Sequence, residues 1–216
     1  AASKDRGEIR FCGCHRPVFS SPRETEARSA KDRGCEICGQ DVGMFERLVY
    51  ISNSYYNKGL ERAKVRDLSG AIDMLKKSLE INKENTDARN LLGLVYFEMG
   101  ESIQAMNEWV ISKNLRPEKN IADDYINLLQ SNSSRLDSLN QTVKKYNQAL
   151  NYCKQDSKDL AVIQLKKVLS MNPKFMRAHQ LMALLHMENE QWERAQKELK
   201  KCIDIDRNNT LTLRYI

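Results

Sequence analysis

No apolar run in this 216-residue sequence approaches the roughly 18 residues that suggest a membrane-spanning helix. The first residues, AASKDRGEIR, lack the apolar centre of a secretory signal. Neither an initiator Met nor a polar ending is present, and TLTLRYI breaks off within a pattern, so the chain reads as a fragment or a trimmed one. Catalytic groupings are missing too. There is no nucleophile–base pair, no phosphate-cradling glycine loop and no carboxylate dyad on helical support. The chain is therefore expected not to be an enzyme. Of the three histidines, His179 and His186 stand seven residues apart on one expected helix, too far to share a metal unaided. Satisfied, semi-buried packing is the expectation for both. Acidic pairs such as Asp123 and Asp124 read as solvated helix surface.

What is present is ordinary for a soluble protein: 41% hydrophobic and 30% charged residues. The net charge of +6 sits in residues 142–216, where 14 Lys/Arg face 8 Asp/Glu. Such an excess could favour an acidic partner or a membrane surface, although a well-solvated helical surface is the simpler reading.

One octapeptide recurs: LKKSLEIN at 75–82, LKKVLSMN at 165–172 and LKKCIDID at 199–206. Each Leu follows an Ala by four places, giving the pairs Ala71/Leu75, Ala161/Leu165 and Ala195/Leu199, with Ala105/Trp109 as a fourth. The spacings are 34, 56 and 34. A period of 34 is the length of a helix–turn–helix unit that cannot bury its apolar face alone. Stacked units share a continuous core, so the fold class predicted is all-α, a solenoid. The octapeptide becomes the second helix of each unit, with Leu75, Leu79 and Ile81 inward and the Lys pairs 76/77, 166/167 and 200/201 in water. Between the second and third pairs 22 extra residues fall at 120–141. There Ile121, Tyr125, Leu128 and Leu129 share a helical face, SNSS offers a break and an N-cap, and Leu136, Leu139, Val143, Tyr146 and Leu150 continue as one long helix. An enlarged or degenerate unit that alters the twist is expected. Upstream, Phe45, Leu48, Val49, Ser52, Tyr56, Gly59 and Ala63 recur at helical spacing without a Pro from Met44 to Lys64.

On these residues the chain resembles the tetratricopeptide repeat family. Residues 86–119 carry the pattern best, through Leu92-Gly93, Tyr96, Gly100, Ala105, Trp109 and Pro117. Residues 52–85, 142–175 and 176–209 carry it too, and 210–216 start a further helix. Arg89, Lys145 and His179 depart from the family's usual aromatics. The resemblance implies a right-handed α-solenoid over 44–216 whose first helices line a concave groove. Its groove positions fall on Asn53, Tyr56, Leu60, Asp87, Asn90, Leu94, Tyr146, Leu150, Arg177, Gln180 and Leu184. That surface suits an extended or helical peptide with apolar side chains. About half of these positions are expected to pack against neighbouring units instead. The clamp by which some members hold a C-terminal carboxylate is absent, because Tyr56, Leu60 and Leu91 stand at its key places.

Residues 1–43 are different. Cys12 and Cys14 are separated by 20 residues from Cys35 and Cys38 in CEICG. CxxCG is a metal knuckle, and two pairs supply a four-cysteine Zn2+ site of the zinc-ribbon kind. His15 could replace Cys14, and disulfides or uncommitted thiols are the alternatives. KDRG occurs at both 4–7 and 31–34, around a polar stretch whose composition suits disorder. Cys202 occupies the small slot held elsewhere by Ser78, Ser112 and Val168, which marks it as a packing residue. A helix leaving the knuckle directly would hold a ribbon over Phe45 and Leu48. Taken whole, the chain resembles bacterial proteins that join an N-terminal zinc ribbon to tetratricopeptide repeats. That implies a cytoplasmic, non-catalytic scaffold for a protein or peptide partner, and some such proteins continue into a membrane anchor. The alternative is an adaptor for nucleic acid or an acidic surface using the ribbon and the basic C-terminal half, but no aromatics interleave the Lys pairs as stacking would require.

Overall fold

The computed structural model describes residues 42–130 and 133–216. The chain divides into two compact units, 1–51 and 52–216, and the second holds the repeats. The cysteine positions 12, 14, 35 and 38, His15 and the contact envisaged between a ribbon and Phe45 and Leu48 lie outside the described residues. Among the described residues every regular element is a helix: α1 (Val42–Lys64), α2 (Leu68–Ile81), α3 (Thr86–Glu98), α4 (Ser102–Leu115), α5 (Ala122–Gln130), α6 (Ser133–Lys154), α7 (Lys158–Met171), α8 (Met176–Glu188), α9 (Trp192–Ile205) and the single turn α10 (Thr210–Leu213). The fold is an all-helical, tetratricopeptide-like solenoid. No described helix is long and apolar enough to cross a membrane.

Small residues set how closely the helices of a pair approach. Ala71, Ala105, Ala161 and Ala195 are buried, as are the large partners Leu75, Trp109, Leu165 and Leu199. A Cβ placed on Gly93 would lie 2.4 Å from the Trp109 indole nitrogen, so α3 and α4 can meet only over glycine. That nitrogen donates to the Asn90 carbonyl at 3.1 Å, and the ring stacks on Tyr125 of α5 at 4.9 Å. Pro117 follows the C-cap Arg116, where α4 stops. A second device recurs at a separation of 26 residues. The small residue of the second helix donates to the carbonyl at the head of its unit: Ser78 to Ser52 at 2.8 Å, Ser112 to Thr86 at 3.4 Å and Cys202 to Met176 at 3.9 Å. Val168 has no hydrogen to give, and its counterpart Thr142 bonds Ser138 within α6 instead. Burial, helped by nearby Glu198, pushes the Cys202 thiol up to about 12, so it stays protonated and packs. His179 is buried between Glu198 and the Pro173 carbonyl, and His186 meets Gln191, as expected of core histidines.

Turns of the N-terminal repeats meet turns of the C-terminal ones: α1–α2 meets α9–α10, and α3–α4 meets α7–α8. Arg207 N–H donates to the Arg66 carbonyl at 3.0 Å, and Met176 N–H to the Met99 carbonyl at 3.2 Å. The Asn172 amide donates to the Gly100 carbonyl at 2.8 Å. Gly100 has a positive φ of 78°, and a Cβ there would stand 2.7 Å from the Lys174 carbonyl oxygen. Met176, Cys202 and Ile205 join the apolar cluster of Leu68, Leu75, Leu92 and Met99. At the heart of this seam lies Asp206, wholly buried. Its carboxylate accepts from the N–H groups of Leu68 at 2.9 Å and Ser69 at 3.2 Å, and from the Ser69 hydroxyl at 2.6 Å. Asp67 caps the same helix through Gly70 N–H. A carboxylate is favoured at a helix N-terminus by both the unpaired N–H groups and the dipole.

The seam is written at equivalent positions 90 residues apart. Leu68 and Met99 on the covered edge correspond to Lys158 and Asn189 on the open edge of the C-terminal half. Met176 and Asp206 correspond to Thr86 and Arg116. One exception is Trp192, which is 64% exposed on the open edge. A second buried carboxyl, Glu101, meets Arg177 Nε at 2.7 Å across the seam, and its Oε2 has no hydrogen-bond partner among the described residues.

Replacing Asp206 with Ala strands two helix-terminal N–H groups and a hydroxyl in a buried place. A loss of about 2–3 kcal/mol in urea unfolding is expected, with faster amide exchange at 68–70. Arg116→Ala, at the equivalent open position, is expected to change stability by less than about 0.5 kcal/mol. Equal losses would show that the seam carries no weight.

Burial raises the Glu101 carboxyl above its ordinary value, and Arg177 only partly offsets this. The carboxyl thus holds its proton more tightly folded than unfolded. The stability it contributes is complete below its unfolded value of 4.5 and lost as pH rises through the folded one. Glu101→Gln keeps an acceptor for Arg177 and removes the titration. Its stability relative to the parent protein should therefore improve between pH 4 and pH 8. A difference that stays flat or falls over that range contradicts this account.

Candidate functional site

Three successive inner helices, α1, α3 and α5, converge on a cleft of about 170 Å³ lined by Tyr56, Asp87, Asn90, Leu91, Leu94, Ile121 and Tyr125. A capping asparagine at the preceding turn positions each of α3 and α5. Asn85 accepts from Ala88 N–H at the head of α3 and donates to the Ser52 hydroxyl at 3.0 Å. Asn120 accepts from Ala122 N–H at the head of α5 and donates to Ser112. The same Asn120 oxygen accepts the Asn90 side-chain N–H₂ at 2.9 Å. Asn90 is 5% exposed, and its remaining acceptor, Oδ1, has no partner among the described residues. Asp87 is the charged residue of the lining. Its Oδ1 lies 3.3 Å from Arg116 Nη2, a pair exposed on both sides and therefore weak. Burial raises the Tyr56 hydroxyl above its ordinary value, and the Asp87 charge adds to the rise.

The eleven groove residues expected from the sequence separate into two groups. Tyr56, Asp87, Asn90 and Leu94 come together in the cleft. Asn53, exposed, accepts a hydrogen bond from Asn85 at 3.2 Å, and Leu60 is half-buried in α1. The others belong to the second half, where packing uses several of them. Tyr146 makes an edge contact with Phe175 at 5.0 Å, and burial raises its hydroxyl pKa. Arg177 is committed to Glu101. Gln180 donates to Asn209 at 3.0 Å and Thr212 at 3.2 Å, which ties α8 to α10. Leu150 and Leu184 are half-buried. Lys113 Nζ lies 2.5 Å from Asp123, so that acidic side chain is paired, while Asp124 faces water.

Two lining residues, Ile121 and Tyr125, stand in the sequence only as part of the face of an insert. They continue the groove register, 34 residues after Asp87 and Leu91. Extending the period into 120–141 would have assigned them. A larger depression, about 300 Å³, is lined among the described residues by Gln141, Lys144, Lys145 and Gln148 of α6 alone. One helix face gives no convergent contacts. No group of three or more His, Cys, Asp or Glu among the described residues could hold a metal.

No curated protein sequence matches the chain. Among solved structures it is similar to the P58(IPK) TPR domain, at 18% identity and a TM-score of 0.41, over 76% of this chain and 54% of that one. It is similar to YrrB, described as a TPR protein with an unusual peptide-binding site, at 20% identity and a TM-score of 0.33, over 74% of this chain and 89% of that one. MamA (residues 41 to the end) from Desulfovibrio magneticus RS-1 is similar at 15% identity and a TM-score of 0.35, over 73% and 96% of the respective chains. Residues 52–85 and 177–209 match the model of the Tetratricopeptide repeat family, so these two segments are tetratricopeptide repeats.

Proposed function

We propose that the chain is a non-catalytic scaffold that binds a peptide segment of a partner protein in the cleft between α1, α3 and α5. Proteins built of these repeats act as interaction scaffolds in general. The apolar anchors Leu91, Leu94 and Ile121 converge with the Asn90 amide oxygen, unpartnered among the described residues, and this convergence carries the reading. An apolar side chain would fill the cleft, and a backbone or side-chain N–H would complete Asn90. A cytoplasmic location belongs to the same reading. So does a structural Zn2+ held by Cys12, Cys14, Cys35 and Cys38, with His15 as substitute for Cys14, which rests on their spacing alone.

The groove is tested by selecting phage-displayed random dodecapeptides on the full chain. Enriched peptides are expected, with affinity lost by about tenfold or more, about 1.4 kcal/mol, on Ile121→Arg. Ile121 is half exposed, so that variant should fold, as circular dichroism can verify. No enrichment, or enriched peptides indifferent to Ile121→Arg, would rule out this cleft.

Elemental analysis of the purified chain should return about one zinc per molecule, lost in a Cys35→Ser/Cys38→Ser variant. A zinc-free parent protein would remove the metal from the proposal.

A further inference from the structure

Four polar residues line the cleft: Asp87 and Asn90 of α3, and the tyrosines Tyr56 and Tyr125, whose hydroxyls can donate or accept. The Asn90 amide donates through Nδ2 to Asn120, which leaves Oδ1 as its spare atom. Asp87 stands at the rim and meets Arg116 through one of its two oxygens. Two aromatic rings, Tyr56 of α1 and Tyr125 of α5, flank the α3 residues of the wall, and no Lys or Arg among the described residues lines it. Burial raises the Tyr56 hydroxyl, and the Asp87 charge adds to the rise. Leu91, Leu94 and Ile121 supply an apolar floor for an alkyl stem.

The Asp87 carboxylate favours positive charge at the cleft, and the apolar residues favour an aliphatic arm. We infer that the cleft takes a lysine or arginine side chain of the bound peptide, its methylenes on the leucines and its cationic head among Asp87, the Asn90 oxygen and the tyrosine faces. This rests on the peptide-groove reading above and adds the chemistry of its anchor. Long cationic side chains bury their stems and keep the head at polar atoms, and ring faces attract cations. Elsewhere the chain makes that contact itself, with Lys58 Nζ 5.5 Å above the Tyr55 ring. A C-terminal carboxylate would instead meet the like charge of Asp87. Among the described residues Arg116 is the cation paired with Asp87, and it is half exposed and free to turn aside.

The test uses the dodecapeptides enriched on the full chain, labelled with fluorescein and read by anisotropy. A Lys or Arg at a fixed place in the enriched set is expected, and its replacement by Gln should weaken binding about tenfold. Asp87→Asn, at an exposed position that leaves the fold intact, should weaken the parent peptide about threefold and the Gln peptide hardly at all. Affinity for the parent peptide should fall as salt rises. Enriched peptides without a basic residue, or with no coupling between that residue and Asp87, overturn the cationic anchor and leave the groove standing. Failure to enrich any peptide overturns both.

Discussion

A carboxylate shut away from water must find donors, and for Asp206 the first turn of α2 provides them. It sits at the C-cap of α9, where its own helix offers carbonyls and an unfavourable dipole. The residue is tolerable only because the fourth unit is pressed against the first. Around that contact the rest of the seam falls into place: Asn172 on Gly100, Met176 on Met99, Arg177 on Glu101. At the open equivalent of Asp206, Arg116 caps the end of α4 with the positive charge that a helix C-terminus favours.

Much of the helix-pair pattern was legible because period and residue size carry it. The Ala-x3-large pairs, the glycine beneath Trp109 and the small slot at Cys202 each report a distance between two helices. Distances of that kind leave a repeated trace in the chain. The seam leaves none. It joins turns 138 residues apart, and only a comparison of Leu68 with Lys158, or Met99 with Asn189, betrays that one edge is dry and the other wet. The segment expected to be an enlarged or degenerate unit, 120–141, holds α5 and the start of α6.

The groove positions were assigned from register for a related reason. A repeat pattern marks every inner-facing position alike, whether or not another unit claims it. Arg177 and Gln180 face inward by register and are taken up by Glu101 and by Asn209 and Thr212. Tyr56, Asp87 and Leu94 face inward and border open space. Which fate a position meets depends on whether another repeat packs over it. Asn90 combines both: it lines the cleft, its N–H₂ is spent on Asn120 in packing, and its buried oxygen has no partner among the described residues.

Solenoids usually allow each unit to fold when its neighbour does, since contacts run only between adjacent repeats. Here the N-terminus of α2 awaits a residue 138 positions later. At ribosomal rates of 5–20 residues per second that delay is roughly 7–28 s. For that interval Leu68 and Met99 lie on an uncovered edge of the nascent chain. The first two units spend their synthesis as a half-finished surface, which the last repeat covers.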